Sequence, residues 1–144
     1  MSFEPTKIDS IAELRPDMRE FVRDWLASLS MRGIRIRILE TRRSRERQDF
    51  LYAQGRTRPG VIVTHKTGDD PTARHVCEPE EATALDFCFT GPDPWSGPWE
   101  EVGSVWEAIT AHRGGRWGGR WKMRDLGHIE IDAPAVPTPE TVSV

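Results

Sequence analysis

Three short stretches of this sequence alternate apolar and polar residues with a period of two, and this pattern constrains the possible fold more than any other feature. A strand with that period buries one face and leaves the other partly accessible. The apolar positions are Ile34, Ile36 and Ile38, then Leu85, Phe87 and Phe89, and finally Ile129 and Ile131. The pattern predicts a small sheet with one face against the core.

Two longer stretches carry apolar residues at the 3.6-residue spacing of an amphipathic helix. The first begins near Pro16 and runs to about Ser30, and the second begins at Trp99. Their apolar stripes can cover the buried face of the predicted sheet. Helices combined with a few short strands indicate an α+β fold around a small, mainly antiparallel sheet.

Shorter elements and the chain ends complete this outline. A helix is expected over residues 45–54, because Ser44 is a good N-cap. Residues 61–64 are predicted to form a further short strand. We expect one domain over residues 1–132, followed by a flexible, proline-containing tail over residues 133–144.

The composition is that of an ordinary globular domain, with 37% apolar and 30% charged residues among 144. The net charge of −3 does not favour nucleic acid or an anionic membrane as a partner. No run of 18 apolar residues is present to span a membrane, and the N-terminus lacks the pattern of a secretory signal. We therefore expect a protein that neither binds nucleic acid nor inserts into membranes. As a separate prediction, we expect a monomer.

The third alternating stretch carries the first candidates for chemistry. His128 lies on its polar face, and a turn at Gly127 could bring the carboxylate of Asp125 back toward the imidazole. An earlier stretch contains His75 and Asp86. Two imidazoles, a carboxylate and a spare acid are typical of a catalytic zinc centre, in which three side chains hold the ion and an acid lies nearby.

Three segments resemble, in order, the motifs of a known enzyme family. They read ETRRSRERQDFLYAQGRT over residues 40–57, ARHVCEPEEATALDF over 73–87 and WGGRWKMRDLGHIE over 117–130. They are similar to its YRS…Q…L…QGR, SxHxxGxAxD and WGGxW…DxxHxE segments. The family comprises the zinc D-alanyl-D-alanine carboxypeptidases and dipeptidases and the L-alanyl-D-glutamate endopeptidases, which many phages use as endolysins.

The resemblance implies a Hedgehog/DD-peptidase-like zinc peptidase fold and roles for five side chains. By their positions in the motifs, His75, Asp86 and His128 bind Zn²⁺. Asp125 is the catalytic acid/base. Arg43 faces the negative charge that develops on the substrate carbonyl, or a carboxylate of the substrate, unless it is one of the exposed arginines around it.

The middle segment departs from the family pattern. Ten residues, 76–85, separate His75 from Asp86, which is more than the family has. A longer loop is compatible with a metal site, because ligands need only converge in space. Cys77 or Glu78 remain open as ligands in place of His75 or Asp86.

The function that the resemblance implies is hydrolysis of the peptidoglycan stem peptide, most directly at the L-alanyl-D-glutamate bond. Without a recognisable signal, we expect an endolysin that stays in the host cytoplasm until lysis and then acts on the cell wall. The alternatives are a D-alanyl-D-alanine carboxypeptidase or dipeptidase, and a catalytically inactive metal-binding module of the same fold. An inactive metal-binding module would need neither Asp125 as an acid/base nor Arg43 as a partner for negative charge on the substrate.

Overall fold

A computed structural model describes residues 4–70 and 80–132, which form three α-helices and four strands. The strands make an antiparallel sheet in the order β1-β2-β4-β3. The α+β architecture with a small antiparallel sheet is therefore confirmed. In chain order the elements are α1 (Pro16–Met31), β1 (Ile36–Glu40), α2 (Arg45–Ala53), β2 (Ala84–Phe89), α3 (Trp99–Thr110), β3 (Arg116–Trp117) and β4 (His128–Glu130).

The ends of the first two helices follow from local chemistry. Pro16 occupies the first turn of α1, where its missing N–H needs no partner. After α1 the chain turns at Gly33, whose φ of +74° suits glycine. The Ser44 side chain accepts a hydrogen bond from the Arg47 backbone N–H at 3.1 Å, which caps α2.

The core lies between one face of the sheet and the helix pair α1 and α3. The Trp25 indole of α1 donates a hydrogen bond to the Val102 carbonyl of α3 at 3.1 Å. Its ring meets Phe87 of β2 edge-on, with centroids 5.0 Å apart. The buried aliphatic and aromatic side chains thus collect on one side of the sheet, which leaves the opposite face for polar groups. Among the helices of the described ranges, none combines the length and hydropathy needed to cross a bilayer.

The strands of the structure differ from the predicted strands in two places. Residues 61–64 do not join the sheet, and Val61 and Val63 are 79% and 57% exposed. The strand Arg116–Trp117 was not predicted; it pairs with β4 although it is only two residues long. The tail expected at residues 133–144 lies outside the described residues.

Candidate active site

Three polar side chains form a row across the sheet, on the face opposite the core. Asp86 of β2 pairs with His128 of β4 on one side and with Glu40 of β1 on the other. Directly opposed residues in antiparallel strands project to the same face. A bulge in β1 between Ile38 and Glu40 places Glu40, rather than Leu39, in this row. Asp86 therefore stands at the centre of a polar strip.

The turn that carries Asp125 is built by the glycines of the third motif. The Gly118 carbonyl accepts hydrogen bonds from the backbone N–H of Asp125 at 2.9 Å and of Trp121 at 3.2 Å. A Cβ at Gly118 would lie 2.2 Å from the Asp125 carbonyl oxygen, so this approach requires glycine. The Asp125 carbonyl then accepts a hydrogen bond from the His128 backbone N–H at 3.2 Å. The motif thus fixes Asp125 beside the start of β4.

Asp86, Asp125 and His128 converge as a set of donors suited to a metal ion. One ligand atom from each lies within 4.8 Å of the others. The His128 Nδ1 and the Asp86 Oδ1 are 3.1 Å apart. In a tetrahedral zinc site with bonds of about 2.0–2.1 Å, neighbouring ligand atoms are about 3.3 Å apart. Imidazole nitrogen and carboxylate oxygen are also the donor types that zinc accepts, so these residues fit the metal that the resemblance implies.

The His128 imidazole lies between two carboxylates. Its Nδ1 faces Asp86, and its Nε2 lies 2.8 Å from the Glu130 Oε1. Burial alone would lower the pKa of His128, but hydrogen bonds with Asp86 and Glu130 outweigh it and raise that pKa to about 9. Burial likewise opposes ionisation of Glu130, yet hydrogen bonds from His128 and Arg116 lower its pKa to about 2. The carboxylates therefore make this a site that attracts positive charge.

The Arg43 guanidinium is held at one edge of the same strip. It donates to Glu40 through Nε at 3.1 Å and through Nη2, and its Nη1 donates to the Gln48 Oε1 at 2.8 Å. Its Nη2 also lies 3.5 Å from the Asp86 Oδ2. Glu40 is 2% exposed and pairs with Arg47 as well, through a contact of 2.7 Å. Burial raises the pKa of Glu40, but the two guanidiniums more than offset this and hold that pKa below its usual value. Arg43 is therefore a fixed cation and not part of a solvated arginine run.

A cavity of about 390 Å³ opens over the strip. It is lined by Asp86, Asp125, His128 and Arg43, and by residues of α2 and the segment after it. Gln48 joins these walls, because its Nε2 donates to the Thr64 hydroxyl at 3.2 Å and to the Lys66 carbonyl at 2.6 Å. The cavity is thus a concave space lined by the three candidate metal ligands and by the Arg43 guanidinium.

The structure brings together four of the five residues expected at the site: Arg43, Asp86, Asp125 and His128. The fifth, His75, lies outside the described residues, as do the alternative ligands Cys77 and Glu78. Cys88, which follows Asp86 on the same strand face, is a buried free thiol.

Two further residues of the site, Glu40 and Gln48, received no role from the sequence. Both lie in the first motif segment, and Gln48 is one of the letters that carry the resemblance. Their contribution depends on contacts with Arg43, which the motif does not express. A buried carboxylate beside two arginines is visible only in the folded chain.

Comparison with known proteins concerns the fold first and the sequence second. The chain has the fold of the Serratia marcescens L-Ala D-Glu endopeptidase ChiX, with a TM-score of 0.56 and 18% identity, covering 90% of this chain and 89% of that one. In sequence it is similar to the peptidoglycan L-alanyl-D-glutamate endopeptidase CwlK of Bacillus subtilis (strain 168). The two are 28% identical over 128 residues, which cover 83% of this chain and 74% of the relative. No family model matches the chain. The comparisons confirm the resemblance to the carboxypeptidase and endopeptidase family and its fold.

Proposed function

We propose that this chain is a zinc-dependent peptidase that hydrolyses the stem peptide of peptidoglycan at the L-alanyl-D-glutamate bond. The observation that carries the proposal is the convergence of Asp86, Asp125 and His128 beside Arg43 in one cavity. Similarity to two proteins named as L-alanyl-D-glutamate endopeptidases supports the choice of bond. Action as a monomeric endolysin released at host lysis stays a prediction.

The metal would be held by His128 and Asp86, together with His75. The first two face each other across β2 and β4, so the sheet register brings their side chains together. His75 is assigned by its motif position. When bound, zinc acts as a Lewis acid and lowers the pKa of water to about 7, which supplies a nucleophile at neutral pH.

Asp125 would act as the general base and then as the general acid. Its side chain is exposed on the turn before β4, within 4.8 Å of the donor atoms of Asp86 and His128. A water molecule held near those atoms would be within reach of this carboxylate. Asp125 would take the proton of the attacking water and return it to the leaving amine as the peptide bond breaks.

Arg43 would stabilise negative charge on the substrate. Its guanidinium is permanently ionised, and contacts with Glu40 and Gln48 fix its plane. A donor that is positioned before the reaction needs no reorganisation when charge develops on the carbonyl oxygen. The same cation could instead bind a carboxylate of the D-glutamate residue.

The product of digestion tests this function. Purified protein with Zn²⁺ is incubated with purified peptidoglycan, and the fragments are analysed by mass spectrometry. We expect two products: released stem peptides that begin with D-glutamate, and muramyl groups that retain L-alanine. Both products should disappear in excess chelator and reappear when Zn²⁺ is added. Release of terminal D-alanine would instead identify a carboxypeptidase. Zinc binding without any cleavage would identify an inactive metal-binding module.

The ligand role of His75 can be tested by metal content alone. In His75→Ala, the zinc retained after dialysis should fall well below the wild-type content, because a ligand of the ion is lost. His65→Ala is the matched control, since His65 is exposed and its Nδ1 contacts Arg56. Elemental analysis measures both. Full occupancy in His75→Ala would transfer the role to Cys77, to Glu78 or to Asp125, the third member of the converging donor set.

A further inference from the structure

The His128 ring is held in one orientation by contacts on its two nitrogens and on its face. Nε2 lies 2.8 Å from the Glu130 Oε1, and Nδ1 lies 3.1 Å from the Asp86 Oδ1. The Trp121 ring packs against the imidazole, with centroids 4.9 Å apart. Glu130 follows His128 by two residues on β4, so both side chains project to the same face of the strand.

Glu130 is itself fixed by a guanidinium. It is 7% exposed, and its Oε2 accepts hydrogen bonds from the Arg116 Nε at 3.0 Å and Nη2 at 2.8 Å. Arg116 stands directly opposite Glu130 in the β3–β4 pair, so the sheet register produces this contact. Arg116 also donates to the Asp132 Oδ1 at 2.6 Å. One cation thus keeps Glu130 in place while its other oxygen remains directed at His128.

This arrangement decides which nitrogen of His128 keeps its proton when a metal binds. An ionised carboxylate can only accept hydrogen bonds, so without a metal both ring nitrogens donate, Nε2 to Glu130 and Nδ1 to Asp86. A histidine that binds a metal is neutral, so the nitrogen on the side of the ion loses its proton and presents a lone pair. That nitrogen is Nδ1, which lies beside Asp86 on the side of the converging donors.

We propose that Glu130, clamped by Arg116, is a positioning residue that fixes His128 as its Nε2–H tautomer and thereby raises the affinity of the site for zinc. The inference rests on the proposed function, since it takes His128 as a ligand. It adds a role for Arg116, which does not line the cavity, and for Glu130, which lines it but has no other part in the proposed function. Carboxylate–histidine–metal arrangements of this kind typically change metal affinity by about 10–100-fold when the carboxylate is lost.

The main variant is Glu130→Gln, which keeps the size of the side chain. Its amide can present either an oxygen or an N–H group to Nε2, so it no longer selects one tautomer. We expect the zinc dissociation constant, measured by competition with a chromophoric chelator, to rise about 10–100-fold. Asp132→Asn is the matched control, because it also removes one negative charge next to Arg116 but leaves the Glu130–His128 contact intact. Its dissociation constant should stay within about threefold of wild type, as expected for loss of one exposed charge.

A second measurement needs no variant. In the zinc-loaded wild-type protein, imidazole ¹⁵N chemical shifts should show His128 protonated at Nε2 and metal-bound at Nδ1. Protonation at Nδ1 would overturn the inference, and so would wild-type affinity in Glu130→Gln. If the wild-type protein binds no zinc at all, the proposed function fails first. If the wild-type protein binds zinc but Glu130→Gln binds it with wild-type affinity, only this inference fails.

Discussion

Replacement of Asp125 by asparagine is expected to leave zinc bound and to lower kcat by about 10²–10⁴-fold, the range for loss of a general acid–base residue. Asparagine has the shape of aspartate but cannot accept and return a proton at neutral pH. The turn should persist, because its hydrogen bonds to Gly118 and His128 use only the backbone atoms of residue 125. The variant therefore separates proton transfer from folding and from metal binding.

The measurement combines zinc content with single-turnover cleavage of a purified stem peptide. Asp69→Asn is the matched control, since Asp69 is exposed, pairs with Arg45 and does not line the cavity. It should retain wild-type rate. Loss of zinc together with activity would make Asp125 a ligand, which its place in the converging donor set would allow. Cleavage at the wild-type rate would place the base elsewhere.

The strands could be predicted only where the apolar alternation was long enough. Leu85, Phe87 and Phe89 give β2 three core positions, and this pattern is unambiguous. The strand Arg116–Trp117 is too short to show any period; it exists because β4 offers it a partner. Residues 61–64 have the composition of a strand, but propensity alone does not form one without a neighbouring edge.

The four residues that meet at the cavity, Arg43, Asp86, Asp125 and His128, could be named from the motifs, but their arrangement could not. Asp86 and His128 are 42 positions apart, and their contact depends on the register of β2 against β4. No local pattern specifies that register. The resemblance named both residues because motif order and spacing preserve what folding brings together. The contacts that hold the Arg43 guanidinium could not be predicted. They depend on the bulge that turns Glu40 toward Arg43, and this bulge is a property of the paired strands.

Replacement of Arg43 by lysine is the second large effect we expect, with kcat/KM lowered by about 10²–10³-fold, as for removal of one positioned donor at a developing oxyanion. Lysine keeps the charge but is a single point donor, so it cannot contact Glu40, Gln48 and the substrate at once. The fold should survive, because Glu40 retains its 2.7 Å contact with Arg47. The change therefore tests the geometry of the guanidinium more than its charge.

Separate values of kcat and KM distinguish the two roles open to Arg43. Stabilisation of the carbonyl oxygen in the transition state predicts that kcat falls while KM changes little. Binding of a substrate carboxylate predicts that KM rises while kcat is retained. Arg42→Lys is the matched control, since Arg42 is the adjacent arginine but pairs with Glu13 at 3.1 Å and does not line the cavity. Wild-type kinetics in Arg43→Lys would reduce Arg43 to a structural partner of Glu40, and the cavity would then hold no residue assigned to the substrate's negative charge.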